Sequence, residues 1–331
     1  MKPAGSFNNQ WGLPLTLLGL GPEHGALVVE LGTNQPGEIA ALAVLAAPTV
    51  GVVTVVAAVH TGFLGSIEGV RDEKAGLVRA LRADGLAVLN ADDARVASMA
   101  RDTRARVVTF GTTADADVRA ADDVVEGADG LVFTLEHAGR REKLKLAFSG
   151  RHNVVNALAA AGAGVALGLS LDEVAAGLAV ARPAKGRCVW RTVGEVRILD
   201  DTYNANPDSV RAALDTVQAH RAGARVVAVL GDMLELGASA DAAHREIGRY
   251  AVTSGVDVLV GLGRHVRALL ETARAEGIAE TQATETFEDT VAFLLKKLVP
   301  HDLVLIKGSR GMRMERIVDA LVARLARAGQ E

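Results

Sequence analysis

The chain contains a single cysteine, Cys188, which excludes an internal disulfide and a metal site built from several thiolates. It also has no long run of lysine or arginine, and its formal net charge of −4 argues against nucleic-acid or membrane-surface partners. No stretch approaches the ~20 apolar residues of a membrane span. These absences favour a protein of the reducing cytoplasm whose partners are small molecules.

The 331 residues, 49% of them hydrophobic, are enough to bury the cores of two domains. From about residue 25, short β-branched runs alternate with longer runs of Ala, Leu, Glu and Arg, which predicts an α/β fold with parallel strands. The predicted strands of the first part are Leu27–Leu31, Val50–Val56, Leu86–Asn90 and Val107–Phe110. Its predicted helices are Gly37–Leu45, Ile67–Leu81, Ala94–Arg101, Asn153–Leu167 and Leu171–Val180. Residues 117–149, broken by glycines, predict antiparallel strands packed beside the main sheet.

The helical pattern stops around 182–186, and a second alternation of strands and helices begins at Val196. We therefore expect two domains, residues 1–183 and 184–331, the second of them Rossmann-like. Its predicted strands are Val196–Leu199, Val226–Leu230, Val258–Val260 and Leu303–Ile306. Its predicted helices are Asp208–His220, Ala243–Ser254, Val266–Glu276, Thr290–Leu298 and Met314–Ala326.

The first candidate site combines Glu30 and His60, each expected just after an apolar strand, with Lys74 on the helix that follows. Ligands of open parallel sheets bind beyond the carboxyl ends of the strands, so the carboxylate and the imidazole would face one crevice. They could hold a divalent cation there. Alternatively, each is a hydrogen-bonded structural residue, and Lys74 is a solvated helix lysine.

Three further polar clusters have equally open interpretations. The run 200–207 can bind a ribose, a base edge or a cation, or it can be an Asx-rich turn that only caps a helix. The run 307–313 suits a phosphate or carboxylate, or it is a solvated basic turn. Asn153 and Asn156 lie three apart on one helical face, where they can contact a ligand or serve as ordinary capping and surface residues.

Seven segments stand out when the chain is taken as a whole: SFNNQWGLPLTLL at 6–18, ELGTNQPGEI at 30–39, HTGFLGSIEGVRDEK at 60–74, GRHNVVNALAAAG at 150–162, DDTYNANPDSVRAAL at 200–214, GDMLELG at 231–237 and KGSRGMRME at 307–315. Together they resemble the Mur ligase family, and within it the branch that adds D-alanyl-D-alanine to UDP-N-acetylmuramoyl-tripeptide. DDTYNANP followed by KGSRGMRME is the most specific pair. The resemblance implies a central ATPase-type parallel sheet, incomplete here, followed by a Rossmann-like carboxy-terminal domain.

The resemblance also implies roles for individual residues. Glu30 and His60 would bind Mg²⁺ together with Lys74, the lysine that is carbamylated in this family; Lys74, His60 and Lys307 would be catalytic. The expected ATP contacts are Asn153, Asn156, Arg187, Asp201 and Asn204. The expected substrate contacts are Asn8, Asn9, Ser309 and Arg310. ATP would phosphorylate the terminal carboxylate of the tripeptide, and the amine of D-alanyl-D-alanine would attack the resulting acyl phosphate.

One part of the family pattern is missing from these residues. Family members carry an amino-terminal domain for the UDP-sugar and then a Gly-rich loop ending in Gly-Lys-Thr/Ser, whose amides cradle the nucleotide phosphates. The 331 residues contain no Gly-Lys dipeptide, and their start aligns just downstream of that loop.

Three hypotheses about function therefore stay open. The first is that the chain is part of a working ligase, and the second is that it is a truncated, catalytically silent protein that retains nucleotide or partner binding. The third reading is another amide ligase of the superfamily, of the folylpolyglutamate or cyanophycin type. DDTYNANP and KGSRGMRME disfavour the third.

The missing loop leads to the first prediction. The loop supplies backbone amides and a lysine to the phosphates, and losing even one such preorganised donor costs ~10²–10³ in rate. The 331 residues alone should therefore release ADP at least ~10²-fold more slowly than an extended protein, in which the amino-terminal domain and loop of a family member precede residue 1. The measurement is ADP release with both substrates and Mg²⁺. Equal turnover of the two proteins would contradict the prediction.

Overall fold

The computed structural model describes residues 1–3, 7–57 and 61–328. Its helices are α1 Gly12–Leu18, α2 Glu38–Ala46, α3 Thr61–Leu64, α4 Ile67–Arg79, α5 Ala94–Ser98, α6 His152–Ala166, α7 Leu171–Ala179, α8 Pro207–Ala219, α9 Ala240–Thr253, α10 Val266–Ala275, α11 Phe287–Lys297 and α12 Glu315–Ala328. Its strands are β1 Val50–Val53, β2 Leu86–Asn90, β3 Arg106–Gly111, β4 Val118–Ala120, β5 Val125–Gly127, β6 Gly130–His137, β7 Arg140–Leu146, β8 Val189–Val193, β9 Val196–Asp201, β10 Val226–Gly231, β11 Val258–Leu262, β12 Glu280–Thr284 and β13 Leu303–Lys307. The predicted α/β class is confirmed.

The first sheet runs in the order β1-β2-β3-β4-β6-β5, with β7 also paired to β6. Strands β1 to β4 are parallel neighbours, and β6 is antiparallel to both β4 and β5. The prediction of antiparallel strands between 117 and 149 is therefore confirmed. Their predicted place beside the main sheet is wrong, because β4 pairs directly with β3 and makes the antiparallel strands an extension of the same sheet.

The predicted strand Leu27–Leu31 is also wrong, since this segment forms no regular strand. Its backbone bonds are isolated: the N–H of Val28 donates to the carbonyl of Met1, and the N–H of Gly32 donates to the carbonyl of Asn8. A strand needs a continuous ladder with a neighbour, and an apolar run alone cannot supply one. Glu30 accordingly lies on an irregular segment rather than at a strand end.

Glu73 of α4 fixes the segment that follows Glu30. Its buried carboxylate accepts hydrogen bonds from the N–H of Gly37 at 2.6 Å, the N–H of Ile39 at 2.7 Å and the hydroxyl of Thr33 at 3.2 Å. The first helical turn of α2 would otherwise leave N–H groups without a partner. One side chain thus caps α2 and ties two of the family-like segments, 30–39 and 60–74, to each other.

The second sheet runs in the order β12-β11-β10-β13-β9-β8. All neighbours are parallel except β8 and β9. Helices α8, α9 and α10 contribute to the core on one face, and α11 and α12 to the core on the other. Because β13 inserts between β9 and β10, the direction of winding changes there, and the carboxyl ends of these strands form the kind of crevice in which ligands bind.

Two strands of this sheet were not predicted. Strand β8 forms a hairpin with β9 through Gly194, whose φ of +58° suits glycine. Strand β12, with the sequence ETQAT, is an edge strand too polar to give an apolar signal.

The chain divides into two compact units. The first comprises residues 1–123, 133–144 and 155–178, and the second comprises 124–132, 145–154 and 179–331. The predicted domain division at 183/184 stays a prediction, because the second unit takes in two segments that precede it. Among the described residues, no helix has the length and apolar character needed to cross a bilayer.

The cap formed by Glu73 leads to a prediction about stability. Replacing Glu73 with Ala leaves buried N–H donors at the start of α2 unpaired, so the free energy of unfolding should fall by ~1–3 kcal/mol. The matched control is Glu68→Ala on the same helix, because Glu68 makes only an exposed ion pair with Arg95 and should cost less than ~1 kcal/mol. Urea denaturation followed by circular dichroism measures both. Equal losses for the two variants would argue against the cap.

Candidate functional site

In the first unit, Glu30 is held beside Asn8. The side-chain amide of Asn8 donates to Oε1 of Glu30 at 3.1 Å. Gly32 permits this approach, because a Cβ there would lie 2.8 Å from the side chain of Asn8. The structure therefore brings together one predicted metal ligand and one predicted substrate contact.

Lys74 projects from α4 toward the end of β1. Its Nζ donates to the carbonyl oxygen of Val55 at 2.7 Å, two residues beyond the strand. Desolvation lowers the pKa of this amine, while the carboxylates of Asp93 and Glu30 act in the opposite direction through space. Lys74 and Glu30 thus lie within electrostatic reach of each other.

His60 lies outside the described residues, so its place beside Glu30 stays a prediction. Among the residues that the structure does describe, no group of three or more His, Cys, Asp or Glu is arranged to hold a metal ion. The described part of the predicted metal site consists of one carboxylate and one amine.

The side chain of Asn9 caps the start of α1. Its side-chain carbonyl accepts the N–H of Trp11 at 3.0 Å and the N–H of Gly12 at 2.9 Å, at the start of α1. The predicted contact of Asn9 with substrate stays a prediction, and the carbonyl is already engaged in this conformation.

In the second unit, parallel pairing places Lys307 at the end of β13 directly opposite Asp201 at the end of β9. Nζ of Lys307 lies 2.5 Å from Oδ2 of Asp201 and donates to the carbonyl of Asn204 at 2.8 Å. The side chain of Lys307 is only 2% exposed. Its ammonium therefore organises the turn after β9, and in this conformation it is not presented to a substrate.

Ser309 and Asn204 extend this arrangement. The hydroxyl of Ser309 accepts the N–H of Leu234 at 2.8 Å and lies 3.1 Å from the carbonyl of Ala205, to which it donates. Oδ1 of Asn204 accepts the N–H of Ala205 at 2.9 Å and of Arg310 at 3.3 Å. The predicted contacts Asn204, Ser309 and Arg310 thus meet at the ends of β9 and β13.

The ring of Tyr203 lies close to both predicted ligand-binding arginines, Arg187 and Arg310. The guanidinium carbon of Arg187 lies 3.8 Å from the centre of its ring, and that of Arg310 lies 5.8 Å from it. Such cation–π contacts orient a guanidinium without neutralising its charge. Because Arg310 is also paired with Glu315 at 3.1 Å, the capacity of this end of the second sheet to attract an anionic group rests mainly on Arg187.

Asn153 begins α6, where its side-chain amide donates to the carbonyl of Ser149 at 2.7 Å. Asn156 follows on the same helix. The bond to Ser149 does not distinguish a nucleotide-binding role of Asn153 from a structural one. The nucleotide contacts of Asn153 and Asn156 stay predictions. Beside Asn153, the ring of His152 lies within electrostatic reach of Asp201 and Lys307.

Sequence reasoning missed Asp93 and Asp232. Asp93 caps α5 and accepts the N–H of Val56 at 2.7 Å, which fixes the chain next to Lys74. Asp232 caps the start of α10 by accepting N–H groups of residues 264–266, and its carbonyl accepts the N–H of Ser309 at 3.1 Å. The sequence signal that could have identified both residues is an aspartate shortly after an apolar strand.

Comparison with known families matches almost the entire chain. Residues 2–164 match the Mur ligase middle domain, and residues 186–310 match the domain described as Mur ligase, glutamate ligase domain. Curated relatives include the UDP-N-acetylmuramoyl-tripeptide–D-alanyl-D-alanine ligases of Mycobacterium tuberculosis, 40% identical over 98% of this chain and 68% of the relative, and of Escherichia coli, 37% identical over 96% and 70%. The chain thus spans about two thirds of the length of these relatives.

Solved structures of MurF ligases also match this chain. A crystal structure of MurF from Acinetobacter baumannii matches with a TM-score of 0.88 and 30% identity, over 97% of this chain and 70% of that one. MurF from Thermotoga maritima in complex with ADP has a TM-score of 0.87 at 24% identity, over 99% of this chain and 74% of that one, and supports the fold alone.

The buried pair of Lys307 and Asp201 leads to a third prediction. Lys307→Met leaves the carboxylate of Asp201 without its counter-ion, so the free energy of unfolding should fall by ~3–5 kcal/mol. The matched control is Lys185→Met, because Lys185 makes an exposed pair with Asp319 that is worth less than ~1 kcal/mol. Urea denaturation should be followed by the fluorescence of Trp190 in a Trp11→Phe background. A cost of Lys307→Met below that of the control would contradict the assignment.

Proposed function

The chain belongs to the Mur ligase family, and from this premise we propose that it acts as an ATP-dependent acid–amino-acid ligase of peptidoglycan precursor synthesis. The reaction is the joining of D-alanyl-D-alanine to UDP-N-acetylmuramoyl-tripeptide, the activity for which its relatives are named. The observation that most supports the proposal is the meeting of the two most specific motifs, DDTYNANP and KGSRGMRME, in the buried contact of Asp201 with Lys307. Because ATP is the co-substrate, we place the reaction in the cytoplasm.

The proposed reaction has two steps. A carboxylate oxygen of the tripeptide attacks the γ-phosphorus of ATP, and ADP leaves. The amine of D-alanyl-D-alanine, in its neutral form, then attacks the acyl carbon, and phosphate leaves as the amide forms. Phosphorylation is needed because a free carboxylate has only oxide as a leaving group.

We assign Glu30, His60 and a carbamylated Lys74 to Mg²⁺. The donor set fits a cation on one condition: an ammonium at Lys74 would repel the ion, whereas a carbamate would attract it. Desolvation lowers the pKa of Lys74 and so favours the neutral amine, the form that reacts with CO₂. A new N–C bond then forms and one proton is released. Bound Mg²⁺ would supply positive charge to offset that of the transferring phosphoryl group.

The remaining assignments follow the family resemblance. We assign the nucleotide to Asn153, Asn156, Arg187, Asp201 and Asn204, and the two substrates to Asn8, Asn9, Ser309 and Arg310. Lys307 serves as a positioning residue, because its buried ammonium holds Asp201 and the backbone of Asn204 in place.

The product identifies the reaction. The extended protein, incubated with ATP, Mg²⁺, UDP-N-acetylmuramoyl-tripeptide and D-alanyl-D-alanine, should form the pentapeptide product seen by mass spectrometry, together with ADP. Omitting D-alanyl-D-alanine should abolish the product. Product formed only when a folate and glutamate replace the tripeptide and the dipeptide would instead identify a folylpolyglutamate type of ligase.

The assignment of Lys74 leads to a fourth prediction. In the extended protein, Lys74→Ala should lower kcat by ~10²–10³, by analogy with the loss of one preorganised group that stabilises developing charge. With ¹³C-labelled bicarbonate, the unchanged protein should show a carbamate signal by NMR that the variant lacks. Lys145→Ala is the control, because Lys145 is an exposed lysine paired with Asp129. A fully active Lys74→Ala variant would overturn the assignment.

A further inference from the structure

The loop that follows β10, residues 232–237, is held from two sides; we call it the β10 loop. On one side, the N–H of Met233 donates to Nε2 of His244 on α9 at 3.0 Å. On the other, the N–H of Leu234 donates to the hydroxyl of Ser309 at 2.8 Å. Successive backbone amides of one loop are therefore fixed by two different elements.

The ring of His244 has a defined protonation state. Nδ1 lies 2.7 Å from the carbonyl oxygen of Ala240, so this nitrogen carries the proton and donates it. Nε2 must then be unprotonated, because it accepts the N–H of Met233. The side chain is 0% exposed, so water cannot replace either partner. A second proton on the ring would set an N–H against the N–H of Met233 and break that bond.

Ser309 connects the β10 loop to the proposed active site. Its hydroxyl donates to the carbonyl of Ala205, and its N–H donates to the carbonyl of Asp232. Ala205 follows Asn204, whose carbonyl accepts Nζ of Lys307. A displacement of the β10 loop therefore reaches, through Ser309, the turn that carries Asn204.

We propose that neutral His244 is a positioning residue: it fixes the β10 loop and, through Ser309, the Asn204–Lys307–Asp201 cluster at the ends of β9 and β13. Only the catalytic importance of that cluster rests on the proposed function. The structural claim concerns the amides of the loop and can be tested without any turnover.

The proposal makes the positioning sensitive to pH. Burial lowers the pKa of His244 below its ordinary 6.5, and the positive charge that His265 can carry acts in the same direction; the bond to Ala240 and the carboxylates of Asp232 and Asp241 oppose them. The unfolded chain therefore takes up this proton at a higher pH than the folded chain. The stabilisation is complete above about pH 6.5 and is lost as the pH falls below that value, toward the lower pKa of the folded state.

Three titratable groups of the described chain act on His244 through space. Asp232 comes from the end of β10, with Oδ1 3.9 Å from Nε2, and His265 comes from the start of α10, with its ring centre 5.6 Å away. Asp241 lies one turn earlier on α9 itself. The charged residues of α8 that contact α9 bind residues other than His244: Arg211 pairs with Glu246, and Asp215 accepts the hydroxyl of Tyr250.

The test is hydrogen–deuterium exchange of the 331-residue chain, followed by mass spectrometry of peptides that cover 232–237 and 307–312, with a peptide from β11 as the distant reference. His244→Leu should speed exchange in both site peptides by about tenfold, the effect of one lost buried hydrogen bond, and leave β11 unchanged. His244→Gln should restore protection, because its side-chain carbonyl can accept the N–H of Met233.

The same experiment is repeated at about pH 7.5 and pH 5.5, with correction for intrinsic exchange rates. The unchanged protein and the control His265→Gln should lose protection in both site peptides at the lower pH, whereas His244→Gln should not. The proposal is overturned if His244→Leu affects β11 equally, if it leaves 307–312 protected, or if His265→Gln alone removes the pH dependence.

Discussion

The site in the second unit depends on one ion pair, that of Lys307 with Asp201. Taking two charges out of water costs several kcal/mol per ion, so such a pair is stable only when further hydrogen bonds satisfy its remaining atoms. Here the carbonyl of Asn204 accepts from Lys307, and the N–H of Cys188 donates to Asp201 at 3.1 Å. The pair therefore determines the path of the chain after β9. Tyr203, and the arginines stacked on it, take their positions from that path.

In the first unit, the buried carboxylate of Glu73 likewise fixes the path of the chain. This carboxylate on α4 accepts the N–H groups at the start of α2, which fixes the irregular segment that leads into α2. Glu30 lies on the approach to that segment, and Lys74 is the residue after Glu73. In both units, a buried charge thus fixes the chain next to residues that we propose to contact a ligand.

The parts of the fold that depend on local apolar patterns could be predicted from the sequence. Strand β2 has the predicted bounds, Leu86–Asn90, and the helices of the second unit differ from prediction only near their ends. The errors concern pairing. The run Leu27–Leu31 is as apolar as a strand but finds no ladder, while polar β12 is a strand because β11 pairs with it.

In the candidate site too, the residue types could be predicted from the sequence, but their partners could not. Residue types at expected strand ends indicated Glu30, Asp201 and Lys307, and Lys74 was indicated on the helix that follows, but their hydrogen-bond partners depend on the fold and could not be read from the chain. Parallel register alone sets Lys307 against Asp201, which are 106 positions apart in sequence. Residues that act by capping, such as Asp93 and Asp232, resemble ordinary turn residues until the helix that they cap is seen in place.

The two lysines of the proposed site show why burial alone does not assign a role. Lys307 is buried, and Lys74 is partly buried. Lys307 contacts the carboxylate of Asp201 directly, at 2.5 Å. Lys74 donates to a neutral carbonyl, and the carboxylates of Asp93 and Glu30 act on it only through space. Desolvation therefore prevails at Lys74 and lowers the pKa of its amine. An amine that gives up its proton readily can react with CO₂, whereas one locked in an ion pair cannot. The partner of each lysine, rather than its burial, thus separates the residue that can be chemically modified from the one that maintains the fold.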